Sequence, residues 1–360
     1  MKFRRLVILI FLCYCNATYA QTKCSKRHSH VKSSASDSRS DSLDVLHTNL
    51  VLDFTDFSSM SIDASATIDF RAKVDGINEV DLDLLSLVVD SVVFSGTQLD
   101  YSHTNELLRI TLSETYDTNE EFQLEIYYSG TAGADNSGWG GFYWNTNYAY
   151  NLGVGFDADP HNFGRAWFPC FDNFVERCTF SFEIITQSPR VGIANGEAIS
   201  LGEFDEQGIA SNTWELNMEI PSYLASIAVG EYDSNASEYT SITSEQIPIW
   251  LTCPPSSVSN VNSSFVNLNS AVNTYETFYG PYAWNKVGYV FVPFNSGAME
   301  HATNIAYPTS FADGSLNFET LMAHELGHMW WGDLITCSTA EDMWINEGMA
   351  SYSEGLFLQQ

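Results

Sequence analysis

Two histidines and a glutamate at fixed intervals restrict this chain more than any other feature does. His324 and His328 stand four residues apart with Glu325 between them, in a stretch rich in apolar and aromatic residues (Leu321, Met322, Met329, Trp330, Trp331). On a helix, residues four apart share a face, so both imidazoles can point at one metal ion. Glu325 leans to the side, where it reaches a water in the site and not the metal. Unpartnered imidazoles buried in such a helix would be costly. After eighteen intervening residues comes Glu347, within Trp344-Ile345-Asn346-Glu347-Gly348-Met349-Ala350. That interval lets one helix end, a loop turn back and a second helix bring a carboxylate to the same ion. Two histidines and one glutamate leave a coordination position open, the arrangement of a catalytic and not a structural zinc site. The expected cofactor is one Zn2+ per chain, held by His324, His328 and Glu347, with Glu325 as the catalytic base. Glu354, seven residues after Glu347, shares its helix face. It either accepts the second N–H of a zinc-bound imidazole or is a solvated helix carboxylate.

The rest of the chain predicts a multidomain fold, and 360 residues with 44% hydrophobic content suffice for two cores. Residues 1–20 carry Lys2, Arg4 and Arg5, an apolar run of ten residues and then Thr18-Tyr19-Ala20, which predicts a signal peptide cleaved before Gln21. The protein is therefore expected to be secreted or periplasmic. Residues 21–43 are serine-rich and read as a flexible leader. Residues 44–234 alternate apolar and polar residues with β-branched and aromatic enrichment, which predicts an all-β domain of short strands. The polar stretch 235–246 reads as a boundary. Residues 247–360 read as a second, mixed domain. It is expected to contain a helix over 266–278, a strand over 287–294, a helix N-capped by Asn317 and running to about Trp331, and a helix from about Asp342 onward.

The net charge of −30 makes nucleic acid and anionic membranes poor partners and is read as a well-solvated surface. No segment of the mature chain has the eighteen apolar residues that a membrane span needs. Without the signal peptide's two, five cysteines remain (Cys24, Cys170, Cys178, Cys253, Cys337), too sparse and odd a set for a disulfide framework. The pairing of Cys170 with Cys178 stays open, as does the oligomeric state.

The residues from His324 to Glu354 resemble the zinc block of the aminopeptidase N family of gluzincin metallopeptidases, which includes leukotriene hydrolases. Gly297-Ala298-Met299-Glu300-His301 resembles that family's Gly-Ala-Met-Glu-Asn exopeptidase motif. Pro169-Cys170-Phe171-Asp172, with Cys178-Thr179-Phe180, resembles its N-terminal-domain signature. The resemblance implies a saddle-like β domain followed by a thermolysin-like α+β catalytic domain, and removal of single residues from peptide N-termini. Glu300 would face the substrate's α-ammonium, a charge-assisted hydrogen bond of about 1.5–3 kcal/mol. Gly297, Ala298 and Met299 would line the substrate's path. His301 departs from the family's Asn, so local hydrogen bonding there must differ. The family also supplies a second amine-binding side chain just before the Pro-Cys-Phe-Asp run. Counting back from Arg165 reaches Pro160 or, with a one-residue shift, Asp159. Asp159 is the candidate, and a turn aspartate is the alternative.

The expected partners are peptides with a free N-terminus. The rivals are a zinc endopeptidase of thermolysin type, against which Glu300 argues, and an inactive peptide-binding ectodomain, against which Glu325 argues. The chain is also expected to be incomplete at its C-terminus. It stops thirteen residues after Glu347 inside an apparent helix, with Leu356, Phe357 and Leu358 lacking a layer to pack on. The family's oxyanion-stabilising tyrosine lies further downstream, so poor turnover is expected.

Overall fold

The computed structural model describes residues 38–360. The expected signal peptide and most of the expected leader lie outside the described residues. Period-two patterning becomes strand throughout the first half. An eight-stranded sheet runs, edge to edge, through Glu197–Leu201, Ile209–Ile220, Cys178–Gln187, Leu43–Phe54, Ile62–Ala72, Glu121–Gly130, Val88–Phe94 and Thr97–Gln98. Every pairing is antiparallel except that of Leu43–Phe54 with Cys178–Gln187. Its inward residues (Leu50, Leu52, Phe54, Phe180, Phe182, Trp214) are buried, while their neighbours along each strand are more exposed. A three-stranded sheet (Ile77–Asp83, Leu107–Tyr116, Tyr101–Thr104) and a four-stranded one (Val191–Ala194, Ile227–Gly230, Ala149–Gly155, Gly140–Trp144) complete the β region.

A mixed region follows. Its sheet has the order Asp233–Thr240, Gln246–Cys253, Val287–Val292, Ile305–Pro308, antiparallel in the first pair and parallel in the other two. Val287–Val292 is buried along its whole length, as a strand covered on both faces must be. Helices Leu268–Tyr279, Glu319–Gly327 and Met343–Phe357 pack together against it.

Several expectations are corrected. The stretch 235–246 is not a linker: residues 233–240 form the edge strand of the second sheet. An exposed edge strand carries polar residues and so resembles a boundary. Part of the expected leader is ordered, because the Arg39 guanidinium bonds the Asp83 carboxylate at 2.7 and 3.0 Å. Asn317 is not an N-cap; its N–H bonds the Ser315 hydroxyl in a turn, and the helix starts at Glu319 without a side-chain cap. That helix ends at Gly327, not near Trp331. Beyond it the backbone tightens to three-residue bonds, from Met329 N–H to Leu326 and from Trp330 N–H to Gly327. Leu356 and Phe357 are buried, and only Leu358 is exposed. Cys170, Cys178, Cys253 and Cys337 are free thiols.

One buried ion pair holds the β region's loops. The Asp172 carboxylate accepts hydrogen bonds from Arg165 Nη1 (2.9 Å), Ser222 Oγ (2.7 Å) and the backbone N–H groups of Gly164 and Arg165. Both side chains are buried. Asp172→Ala leaves the buried Arg165 with only the partly exposed Glu106, 3.6 Å from its Nε, as counter-charge, so we expect a loss of about 3 kcal/mol in chemical denaturation. A loss below 1 kcal/mol, on the order of an exposed pair, would contradict this account.

Candidate active site

The helix Glu319–Gly327 is held in place by aromatic donors. The Tyr275 hydroxyl bonds the Ala323 carbonyl at 2.8 Å, and the Tyr289 hydroxyl bonds that of Met322 at 2.8 Å. Tyr307 and the Trp284 indole do the same for Phe318 and Met329, at 3.1 and 2.9 Å. The last helix crosses close by, since a Cβ added at Gly327 would lie 3.0 Å from Ser353 Cβ. These constraints fix the faces that carry His324 and His328 against the one that carries Glu347.

His324 Nε2 and His328 Nε2 lie 3.2 Å apart. Glu347 Oε2 is 3.3 Å from the first and 3.8 Å from the second. Ligands at roughly 2.0–2.2 Å from a tetrahedral zinc lie about 3.3–3.6 Å from one another, so shifts of about 0.2 Å would seat such an ion among the three atoms. The opposite ring nitrogens are occupied. His324 Nδ1 is 2.8 Å from Glu354 Oε1, and His328 Nδ1 is 3.0 Å from the Trp331 carbonyl oxygen. With both rings neutral, donation through Nδ1 would leave an Nε2 lone pair on each. Those two nitrogens would then face each other beside a carboxylate, an arrangement that a proton or a metal ion relieves. Gly332 makes room for this: its φ is +139°, and a Cβ there would meet His328 Nδ1 at 3.1 Å.

The local charge is strongly negative. Burial pushes Glu325 well above the usual carboxylate range; His324 opposes this, while Glu300, Glu347 and Glu354 add to it. Burial, and then the Glu347 charge, raise Glu300 to about 8. Burial alone would lower His324, but the Glu347 hydrogen bond, the Glu325 charge and the Glu354 hydrogen bond leave it raised to about 9. His328 is driven by burial down to about 4.

Glu300 reaches the site from the segment before Ile305–Pro308. Glu300, Glu325 and His328 bring one oxygen or nitrogen each within 4.8 Å of one another. Met299 exchanges backbone hydrogen bonds with Ala306, both 2.9 Å. His301 is fully buried and neutral, its pKa lowered by burial to about 3. Its Nε2 accepts the Gly153 N–H at 3.1 Å, tying this segment to the β region.

His324, Glu325, His328, Glu347 and Glu300 open onto one cleft of about 460 Å³, lined also by Gly297, Ala298, Met299, Trp139, Phe156 and His161. Asp159 is corrected here: it is exposed and does not line the cleft. The loop closes on itself through the Gly155 N–H to His161 carbonyl bond (2.7 Å), which turns residue 161, and not 159, toward the cleft. Sequence reading missed Trp139, Phe156 and His161. Only the aromatic residues gave any signal, and among so many it was not distinctive.

Residues 45–224 match the Peptidase M1 N-terminal domain, and residues 266–360 match the Peptidase family M1 domain. The chain is 28% identical to the probable aminopeptidase 1 of Sulfurisphaera tokodaii, over 83% of this chain and 37% of that protein. It is 26% identical to mouse (Mus musculus) aminopeptidase B, over 53% of this chain and 28% of that protein. Similarity to endoplasmic reticulum aminopeptidase 2 of Bos taurus is 28%, over 55% and 21%. The chain thus spans well under half the length of these relatives. Among solved structures, the M1 zinc metallopeptidase of Deinococcus radiodurans bound to a Tyr-Ser-Ala substrate superposes with a TM-score of 0.78 at 22% identity. That match covers 88% of this chain and 71% of the other.

Metal uptake tests the ligand geometry. One zinc per chain is expected, and none in His328→Ala. Glu354→Ala should weaken affinity about 10–100-fold; unchanged affinity would make Glu354 a bystander. Because His324 is raised to about 9, its proton competes for the metal below that pH. Zinc affinity should therefore rise with pH toward about 9, and uptake at pH 7 should release a proton to the buffer.

Proposed function

This chain belongs to peptidase family M1, and we propose that it is the catalytic part of a zinc aminopeptidase that removes residues from free peptide N-termini. The observation that carries this reading is the convergence of His324, His328 and Glu347 beside a buried Glu325, with Glu300 in the same cleft. His324, His328 and Glu347 would hold the ion. When bound, zinc supplies Lewis-acid polarisation of the scissile carbonyl and of a water.

The chain's own groups do the rest. The Glu325 carboxylate accepts a proton from the attacking water as its oxygen adds to the carbonyl carbon. It passes that proton to the amine as the C–N bond breaks. Glu300 accepts hydrogen bonds from the substrate's α-ammonium, so that only the first peptide bond lies over the site. Glu354 and the Trp331 carbonyl hold the two imidazoles at the required angle.

We also propose export, on the strength of the basic, apolar and small-residue succession in residues 1–20. No helix among the described residues is long and apolar enough to cross a membrane. N-terminal sequencing of the exported protein should begin at Gln21; a retained Met1 would refute this.

Cleavage of an aminoacyl chromogenic substrate that a chelator stops, and that N-acetylation of a peptide prevents, is the expected result. Equal cleavage of free and acetylated peptides would point to an endopeptidase instead. Glu325→Gln should keep zinc and lose turnover by at least a hundredfold, on the order of a general-base contribution. Glu300→Ala should raise KM for free N-termini while leaving zinc content intact; loss of both together would make Glu300 structural.

A further inference from the structure

Resting on the aminopeptidase reading, the cleft also carries information about which peptides enter it. The β region contributes an aromatic wall. Trp139 and Phe156 stack in parallel, ring centroids 4.5 Å apart with an interplanar angle of 0°. Phe294 meets the indole edge-on at 5.8 Å. Phe156 is 59% exposed, an apolar ring left at the cleft's mouth.

The wall's position relative to Glu300 is fixed by a hydrogen bond. The Trp139 indole N–H donates to the Ser296 carbonyl at 2.7 Å. The next residue, Gly297, has φ +121°, and a Cβ there would come within 3.4 Å of that same indole nitrogen. The wall therefore borders the segment 296–300 that ends in the amine anchor. In a bound peptide only the first Cα lies between the α-ammonium and the scissile carbonyl, so the side chain nearest this wall belongs to the first residue.

The charges in the cleft narrow the choice further. No Lys or Arg lines it; apart from His161 and the two histidines at the metal position, an acidic side chain would meet the carboxylates Glu300, Glu325 and Glu347. A basic side chain would find all three of those carboxylates committed to the ammonium, the proton transfer and the metal. Burying either charge unpaired is unfavourable. The remaining surface near the wall is apolar: Val154, Ala298 and Met299.

We propose that the first residue's side chain lies against the Trp139–Phe156 stack, and that the enzyme prefers peptides beginning with a large apolar or aromatic residue. Binding of L-phenylalaninamide, L-leucinamide, L-alaninamide, L-argininamide and L-glutamic acid α-amide to the zinc-loaded chain by calorimetry tests this, alongside cleavage of the matching 4-nitroanilides. Phenylalanine and leucine should exceed alanine about tenfold or more, within the range a hydrophobic pocket gives. Arginine and glutamate should fall below alanine.

Phe156→Ala, at an exposed position, and Trp139→Ala should each reduce the phenylalanine-to-alanine ratio several-fold. Trp139→Phe keeps a ring without the N–H and should retain more of the ratio than Trp139→Ala. An order led by arginine or glutamate, a flat profile, absence of binding, or an unchanged ratio in both alanine variants would overturn the proposal. Selective amide binding without cleavage of any substrate would uphold it while overturning the catalytic reading.

Discussion

Two imidazole nitrogens 3.2 Å apart beside a carboxylate are the constraint around which the mixed region is arranged. Left alone, such a cluster would spread apart or take up protons. It is kept together because the groups behind it are themselves fixed. Glu354 and the Trp331 carbonyl occupy the outer ring nitrogens, and four aromatic donors hold carbonyls in and just beyond the helix carrying the histidines. Phenol and indole donors suit this purpose because they bury large apolar area while their single polar atom finds a backbone acceptor. The aromatic abundance of the sequence thus serves the rigidity of the site as well as the core.

The β region contributes by gripping the segment that bears Glu300. Besides the Trp139 and His301 bonds, Asn195 Nδ2 bonds the Ala302 carbonyl at 2.5 Å, and the Gly196 N–H bonds Thr303 Oγ1 at 2.7 Å. Ser226 Oγ accepts from Asn304 Nδ2 at 3.0 Å. Arg177 reaches the other side of the site, donating to the Asp333 carbonyl and to Thr336 Oγ1 in the loop after the histidine helix. Groups of the β region therefore set the position of the amine anchor relative to the histidines.

The candidate metal ligands, the candidate base and the period-two strands could be read from sequence because each rests on local spacing: four residues on a helix, two on a strand. Glu300 became visible only through family resemblance, since nothing near it in sequence shows that it is buried beside Glu325. The features that were misread depend on tertiary context. An edge strand has the polarity of a linker, so 233–240 was taken as a boundary. The helix after Glu319 stops at Gly327 because the turn that follows is tightened, which apolar periodicity through Trp331 does not reveal. Asp159 was placed by counting along the chain, but the Gly155–His161 bond shifts which residue of that loop faces inward. The Trp139–Phe156 wall joins residues seventeen apart and depends on contact with a third segment, so no local pattern could disclose it.

The site's charge and the exopeptidase function proposed for it are two aspects of one arrangement. Burial, and then the Glu347 charge, hold Glu300 well above the usual carboxylate range, so its ionised form is favoured only when a cation faces it. An α-ammonium is such a cation, and it sits at one end of a peptide only. A neutral acetylated terminus brings no charge and would leave the carboxyl group buried and unpaired with a formal partner. An internal stretch of peptide would do the same. The energetic cost of a desolvated carboxylate therefore becomes discrimination, because only a chain that begins at this point relieves it. The aromatic wall carries no charge and can add affinity only in proportion to the apolar surface it covers. On the proposed function, selection of the terminus rests on electrostatics and selection of the first side chain on area, and the two act on adjacent atoms of one residue.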